Sequence, residues 1–180
     1  MKPASTGDQP PFSRSREAST IGVRALVAVL LWVVAAPVIA AGTVSCSVSA
    51  TGLSFGSYDV FAASPITSTT TLSVTCTLTA GGVTTVNYVV ALAPGSSGTF
   101  LQRQMKNGGN ALGYNLYSDS ARTTVWGDGS GSTQTVSGSM QLKPSTPTLT
   151  DNFTVYGSVP ALQDAAVGAY SDNITITVTY

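Results

Sequence analysis

The side chains that could do chemistry in this sequence are few. The chain contains no histidine, which removes the commonest general base and the commonest metal ligand together. Serine and threonine abound, but the bases left to activate one are lysines. Lys106 and Lys143 each lie beside turn residues, where a solvated loop charge is the simpler reading. Six carboxylates follow residue 41: Asp59, Asp119, Asp128, Asp151, Asp164 and Asp172. No two are spaced as a dyad along a strand, and most neighbour Gly, Ser or Asn, where Asp shapes turns. Asp128-Gly129-Ser130-Gly131 lacks the remaining ligands and the bidentate Glu of a calcium loop. Trp126, Tyr114 and Tyr117 could stack on a sugar, although alternation along strands favours core packing for such aromatics. Trp126 and Tyr117 are the surface-binding candidates. No catalytic residue, metal site, cofactor or small-molecule substrate is expected, so the chain reads as a non-enzyme.

Composition narrows the partners. Hydrophobic residues make up 43% and charged residues 9%, with zero formal net charge. An ordinary soluble domain is about one quarter charged. After residue 41 the basic residues are Arg103, Lys106, Arg122 and Lys143, which offers no basic patch for a nucleic acid.

The N-terminus is a different material. Residues 1–19 are polar, and Arg24 precedes an apolar run from Ala25 to Ala36 and then small residues, Pro37 to Gly42. A basic n-region, an apolar stretch and a small-x-small site read as a secretory signal peptide. The run is short for a membrane span, which takes about 20 apolar residues. Cleavage after Ala40 fits best, and after Ala41 nearly as well. Residues 1–40 are therefore assigned to a signal peptide with a polar extension, and 41–180 to one exported domain. Cys46 and Cys76 both fall in the exported part, where an even count suggests one disulfide. The spacing is not that of a CxxC redox pair.

The elements that position these residues read as strands and turns throughout. Thr69 to Leu78 alternates, with Leu72, Val74, Cys76 and Leu78 on one face. Val86 to Leu92 is almost continuously apolar and reads as a central strand buried on both sides. Phe100 to Met105 is a short strand candidate, and Asn107 to Asn110 suits a tight hairpin. Ala111 to Tyr117 alternates again. Thr133 to Val136 is a weak strand, Pro144 and Pro147 bracket a loop, and Phe153 to Val159 is a strand ended by Pro160. Ala161 to Ala169 reads as a loop. In Asn173 to Tyr180 the side chains of Ile174, Ile176, Val178 and Tyr180 share one face, with threonines on the other. About seven short strands with regular turn signals predict an all-β sandwich.

Five stretches then carry a resemblance. They are Cys46 to Asp59 (CSVSATGLSFGSYD), Leu72 to Cys76 (LSVTC), Leu112 to Gly129 (LGYNLYSDSARTTVWGDG), Val155 to Pro160 (VYGSVP) and Gly168 to Tyr180 (GAYSDNITITVTY). Together, in order, they span the exported part, which resembles the spore coat protein U domain, the subunit family of archaic (Csu-type) chaperone–usher pili. The resemblance implies an incomplete immunoglobulin-like sandwich, one strand short, whose open groove is filled first by a periplasmic chaperone and then by a segment of a neighbouring pilin subunit. It implies a chaperone, an outer-membrane usher and other pilins as partners, and a surface pilus or coat as destination, with a role in adhesion and biofilm. Ile174, Ile176, Val178 and Tyr180 are the expected groove and chaperone-contact residues. Only Ala41 to Ser45 lie between the signal peptide and Cys46, too few to donate a strand, so the expected subunit accepts a strand without giving one. The alternative is a self-contained secreted module that binds carbohydrate through Trp126 and nearby tyrosines.

Overall fold

The computed structural model describes residues 42–180. The signal-peptide reading of residues 1–40 lies outside the described residues. Eight strands form: β1 (Thr43–Ala50), β2 (Ile66–Ala80), β3 (Thr84–Leu92), β4 (Arg103–Asn107), β5 (Asn110–Tyr117), β6 (Val136–Leu142), β7 (Thr148–Val159) and β8 (Ile176–Thr179). One sheet runs β1-β2-β7-β5-β4 and the other β6-β3-β8. The two pack as an all-β, immunoglobulin-like sandwich, as expected.

Period-two alternation decides which side chains meet between the sheets. On β2, Leu72, Val74 and Cys76 are fully buried, while the intervening threonines and serine face outward. β2 pairs antiparallel with β7 from Ile66↔Val159 to Thr77↔Thr148. Strand β7 therefore starts earlier than the sequence suggested, because the bend at Pro144 to Pro147 closes tightly, with Lys143 and Thr146 exchanging backbone hydrogen bonds. β3 is central in its sheet, but it is buried on one face only. Val86, Tyr88, Val90 and Leu92 point inward, whereas Asn87 is exposed and Val89 is 40% exposed. A continuous apolar run looks the same whether one face is covered or two, and among the described residues no layer covers the second face. The hairpin at Asn107 to Asn110 forms as expected, with Gly108 at φ 55°.

Trp126 is one of the two surface-binding candidates, with core packing the favoured reading, and the fold places it in the core. Its side chain is fully buried, its Nε1–H donates to the Val90 carbonyl at 3.0 Å, and its ring meets the edge of Phe153 with centroids 6.3 Å apart. An indole whose N–H finds a partner inside is an ordinary core residue, and no sugar can reach it. Beside it lies Arg103, also fully buried. Its guanidinium donates to the carbonyls of Ala93 (3.0 and 3.2 Å) and Trp126 (2.8 Å) and to Asn115 Oδ1 (2.8 Å). Phe100 lies 5.5 Å away under the charge. Burial lowers the guanidinium pKa from its ordinary value. The carbonyls and the amide oxygen compensate for lost water, and they tie two loop segments and β5 to one point.

Arg103→Met should therefore leave buried acceptors unpaired and lower the unfolding free energy by about 3 kcal/mol. Urea unfolding measures this, and an unchanged midpoint would show that the frame does not depend on the guanidinium.

Candidate functional site

The site is built by two strands that each lack a neighbour. Among the described residues β1 pairs only with β2, and β8 only with β3, over Val89↔Thr179 to Leu92↔Ile176. Each is the edge strand of its own sheet, and they lie on the same flank of the sandwich. No backbone hydrogen bond joins them among the described residues. Each therefore presents a row of unpaired N–H and C=O groups toward the other.

Burial tells the same story through the side chains. The inward residues of β1 are Val44, Cys46 and Val48, and those of β8 are Ile176 and Val178. All five are only half-buried, although they pack against a core whose interior members, Leu72, Val74 and Val90, are sealed. Apolar side chains of this type gain about 1.5–3 kcal/mol each from full burial, and here part of that gain is unrealised. These side chains outline an apolar cleft walled by β1 and β8 and floored by the core.

The Cys46–Cys76 disulfide pins one wall. The two residues face each other directly in the β1–β2 register, with Cα atoms 4.1 Å apart, so β1 is tied to the five-stranded sheet. Beyond the end of β1 the groove runs into a cavity of about 400 Å³, lined by Leu53, Phe55, Tyr114, Tyr170, Ile174 and Ile176 among others. Phe55 lies over Gly157, where an added Cβ would come within 2.8 Å of the ring, and meets Tyr114 edge-on at 5.9 Å. The segment after β1 thus fills the space between the sheets at this end. Tyr58 fastens it, donating to the Pro160 carbonyl at 2.9 Å and accepting from the Gln163 amide at 2.7 Å.

Asp172 closes the cavity's polar rim. It accepts from the backbone N–H of Ser96 (2.8 Å), the Ser96 hydroxyl, the Tyr114 hydroxyl (2.7 Å) and the amide of Asn173 (2.8 Å). Burial works against its charge, but the donors outweigh it, and its pKa falls below the ordinary carboxylate value. Tyr114 shifts the other way, since burial and the neighbouring carboxylate both disfavour the phenolate. None of these groups forms a nucleophile–base pair. Among the described residues no three His, Cys, Asp or Glu side chains are grouped to hold a metal. What the arrangement can do is accept an extended apolar segment, pairing its backbone with two edges and burying alternate side chains.

Of the residues singled out in the sequence, Ile174, Ile176 and Val178 lie together on the groove side. Tyr180 follows β8 and is 56% exposed, outside the half-buried row. Tyr117 is half-buried on β5, opposite Tyr156 of β7, and does not share a surface with the buried Trp126. Val44 and Val48 were not singled out, although Val44-x-Cys46-x-Val48 shows the same alternation. Leu53 and Phe55 lie in a loop that carries no periodic signal.

The family model for the spore coat protein U domain matches residues 33–177. The chain belongs to the spore coat protein U domain family. It is 32% identical over 135 residues to protein U of Myxococcus xanthus, an alignment that takes in 71% of each chain. A solved structure with a similar backbone is a chaperone–tip adhesion subunit pre-assembly complex from the archaic chaperone–usher Csu pili of Acinetobacter baumannii. It is 21% identical with a TM-score of 0.48, over 77% of this chain, and this chain spans 40% of that one. In the present spore coat protein U domain the matched residues take in all of β1 through β7 and the start of β8, so the β1 wall and the first residues of the β8 wall lie within the match.

The Asp172 clasp predicts a pH dependence. A lowered carboxylate pKa contributes stability that is present above the ordinary carboxylate range and is lost as pH falls through the lowered value. The thermal midpoint of Asp172→Asn should lie below that of the parent near neutrality, and the gap should narrow as pH drops from about 5 toward 2. A gap that stays constant over that range would count against the clasp.

Proposed function

We propose that this chain is a structural subunit of a surface pilus or coat, exported through the inner membrane and assembled by donor-strand complementation. One observation carries the reading: two unpaired strand edges on one flank have half-buried apolar side chains beside fully buried residues one strand further in. Such a flank is an aggregation hazard in isolation, so it calls for an occupant from the moment of folding. A periplasmic chaperone strand fills it first, an outer-membrane usher receives the complex, and a strand of another pilin replaces the chaperone. Main-chain hydrogen bonds give affinity in this mode of recognition, and alternate side chains give register. The role is structural, with adhesion and biofilm formation as its setting, rather than catalytic.

The finer reading concerns direction. Spanning a groove takes about 10 residues at about 3.3 Å each. Signal cleavage after Ala40 leaves five residues, Ala41 to Ser45, before the disulfide-anchored Cys46. A subunit of that form accepts a strand and donates none, which suits a fibre tip or a minor coat component. N-terminal sequencing of the secreted protein should begin at Ala41 or Gly42, and the purified protein alone should form no long homopolymers. A start well upstream, or long homopolymers, would overturn the acceptor-only assignment.

The groove itself is tested by capture. Co-expression with a matched chaperone should raise the soluble yield of the parent, and Ile176→Thr with Val178→Thr should abolish recovery in a pull-down. Val89→Thr, on the outward face of β3, should leave recovery intact. Undiminished capture of the correctly folded Ile176/Val178 variant would contradict the assignment.

A further inference from the structure

Across β1, β2 and the first half of β7, the outward face of the five-stranded sheet is chemically uniform. All four outward positions of β1, residues 43, 45, 47 and 49, are Ser or Thr. So are all seven outward positions of β2 from residue 67 to 79. On β7 the outward positions from 148 to 154 are Thr, Thr, Asn and Thr. Register aligns them in rows across three strands: Ser45–Thr77–Thr148 and Ser47–Thr75–Thr150. Asp151, the charged residue of β7, points the other way and accepts from the buried Tyr88 hydroxyl. Further along β7, Tyr156 ends the run of small polar residues, and Arg122 lies 5.8 Å over its ring.

Two properties of this face bear on what can cover it. First, its hydroxyls are partly paired within the face. Thr75 and Thr150 share a hydrogen bond at 2.8 Å, Thr77 and Thr148 one at 3.1 Å, and Ser73 donates to Asn152 at 2.6 Å. Groups already paired lose little when water is excluded, so covering this face costs less than covering a sheet of free polar groups. Second, none of these outward positions on β1, β2 and β7 carries a charge. A face bearing charge of one sign would repel its own copy across a two-fold axis, and this one does not. Short side chains of nearly uniform height also let two sheets approach to about 10 Å, the ordinary face-to-face spacing.

We propose that this face is a self-association surface whose partner is the same face of a second copy of this chain. From strand spacing and rise it offers roughly 500 Å² per copy, or about 1,000 Å² for a pair. That is the lower limit of a specific interface, so the contact is weak between two molecules and gains strength where copies are held in a repeating array. It is separate from the β1–β8 groove, because it uses the outward side of β1 with β2 and β7, whereas the groove uses the inward side of β1 with β8.

The test is sedimentation equilibrium of the secreted protein from micromolar to millimolar concentration. Ser47 and Thr150 flank Thr75 at about 10 Å and are both exposed, so a pair of like charges there is tolerated by the fold, which circular dichroism checks. Ser47→Lys with Thr150→Lys, and separately Ser47→Glu with Thr150→Glu, should each weaken self-association by about tenfold or more. An equimolar mixture of the two variants should restore it. The groove variant Ile176→Thr with Val178→Thr should self-associate like the parent. Self-association unchanged in both charged variants, or lost in the groove variant, would overturn the proposal. So would retention of monomeric parent on an insoluble neutral polysaccharide, abolished by the same charges, since the face would then serve a different occupant. Failure here leaves chaperone capture untouched, so the two readings stand or fall separately.

Discussion

A β-sandwich is sealed when every inward side chain has neighbours on both sides along its sheet. On one flank of this molecule that condition fails. Val44, Cys46 and Val48 on β1 and Ile176 and Val178 on β8 point into the core but remain half-exposed, while the residues one strand further in are fully covered. Much of what distinguishes this domain follows from that shortfall: two unpaired edges, a groove between them, and apolar surface that water would otherwise wet.

A groove persists only if its walls do not collapse into it. Three features hold the walls apart. The Cys46–Cys76 bond ties β1 to β2. Arg103 and Trp126, both buried, bind the segments around Ala93, Asn115 and Val90 into one rigid knot. The Asp172 clasp, with Ser96 and Tyr114, fixes the chain just before β8. Together they make the incompleteness a property of the folded state.

Much of this was legible in the residues, and the failures have physical causes. The all-β class, the disulfide and the inward row of Ile174, Ile176 and Val178 follow from alternation and from export. β3 was read as doubly buried because an apolar run does not report how many faces are covered, and Val89 shows the exposed side. For Trp126 the surface role stays open beside the favoured core packing, because side-chain type alone does not say which way an indole points. Arg103 was not foreseen as a core residue, since a guanidinium is buried only when carbonyls from distant loops converge on it, and that convergence exists only in three dimensions. The openness of the groove was likewise invisible from residue patterning. Val44-x-Cys46-x-Val48 looks like any half-buried strand until its missing neighbour is seen, and before the structure only family resemblance implied it.

The central claim is that the β1–β8 flank takes a strand from another chain. Backbone hydrogen exchange, compared between the subunit released from a matched chaperone and the same subunit in the chaperone complex, tests this most directly. The account predicts new protection in Thr43–Ala50 and Ile176–Thr179, whose outer edges gain partners, with little change in the already paired β2 and β7. Protection that appears elsewhere, or no change in either edge strand on complex formation, would contradict it.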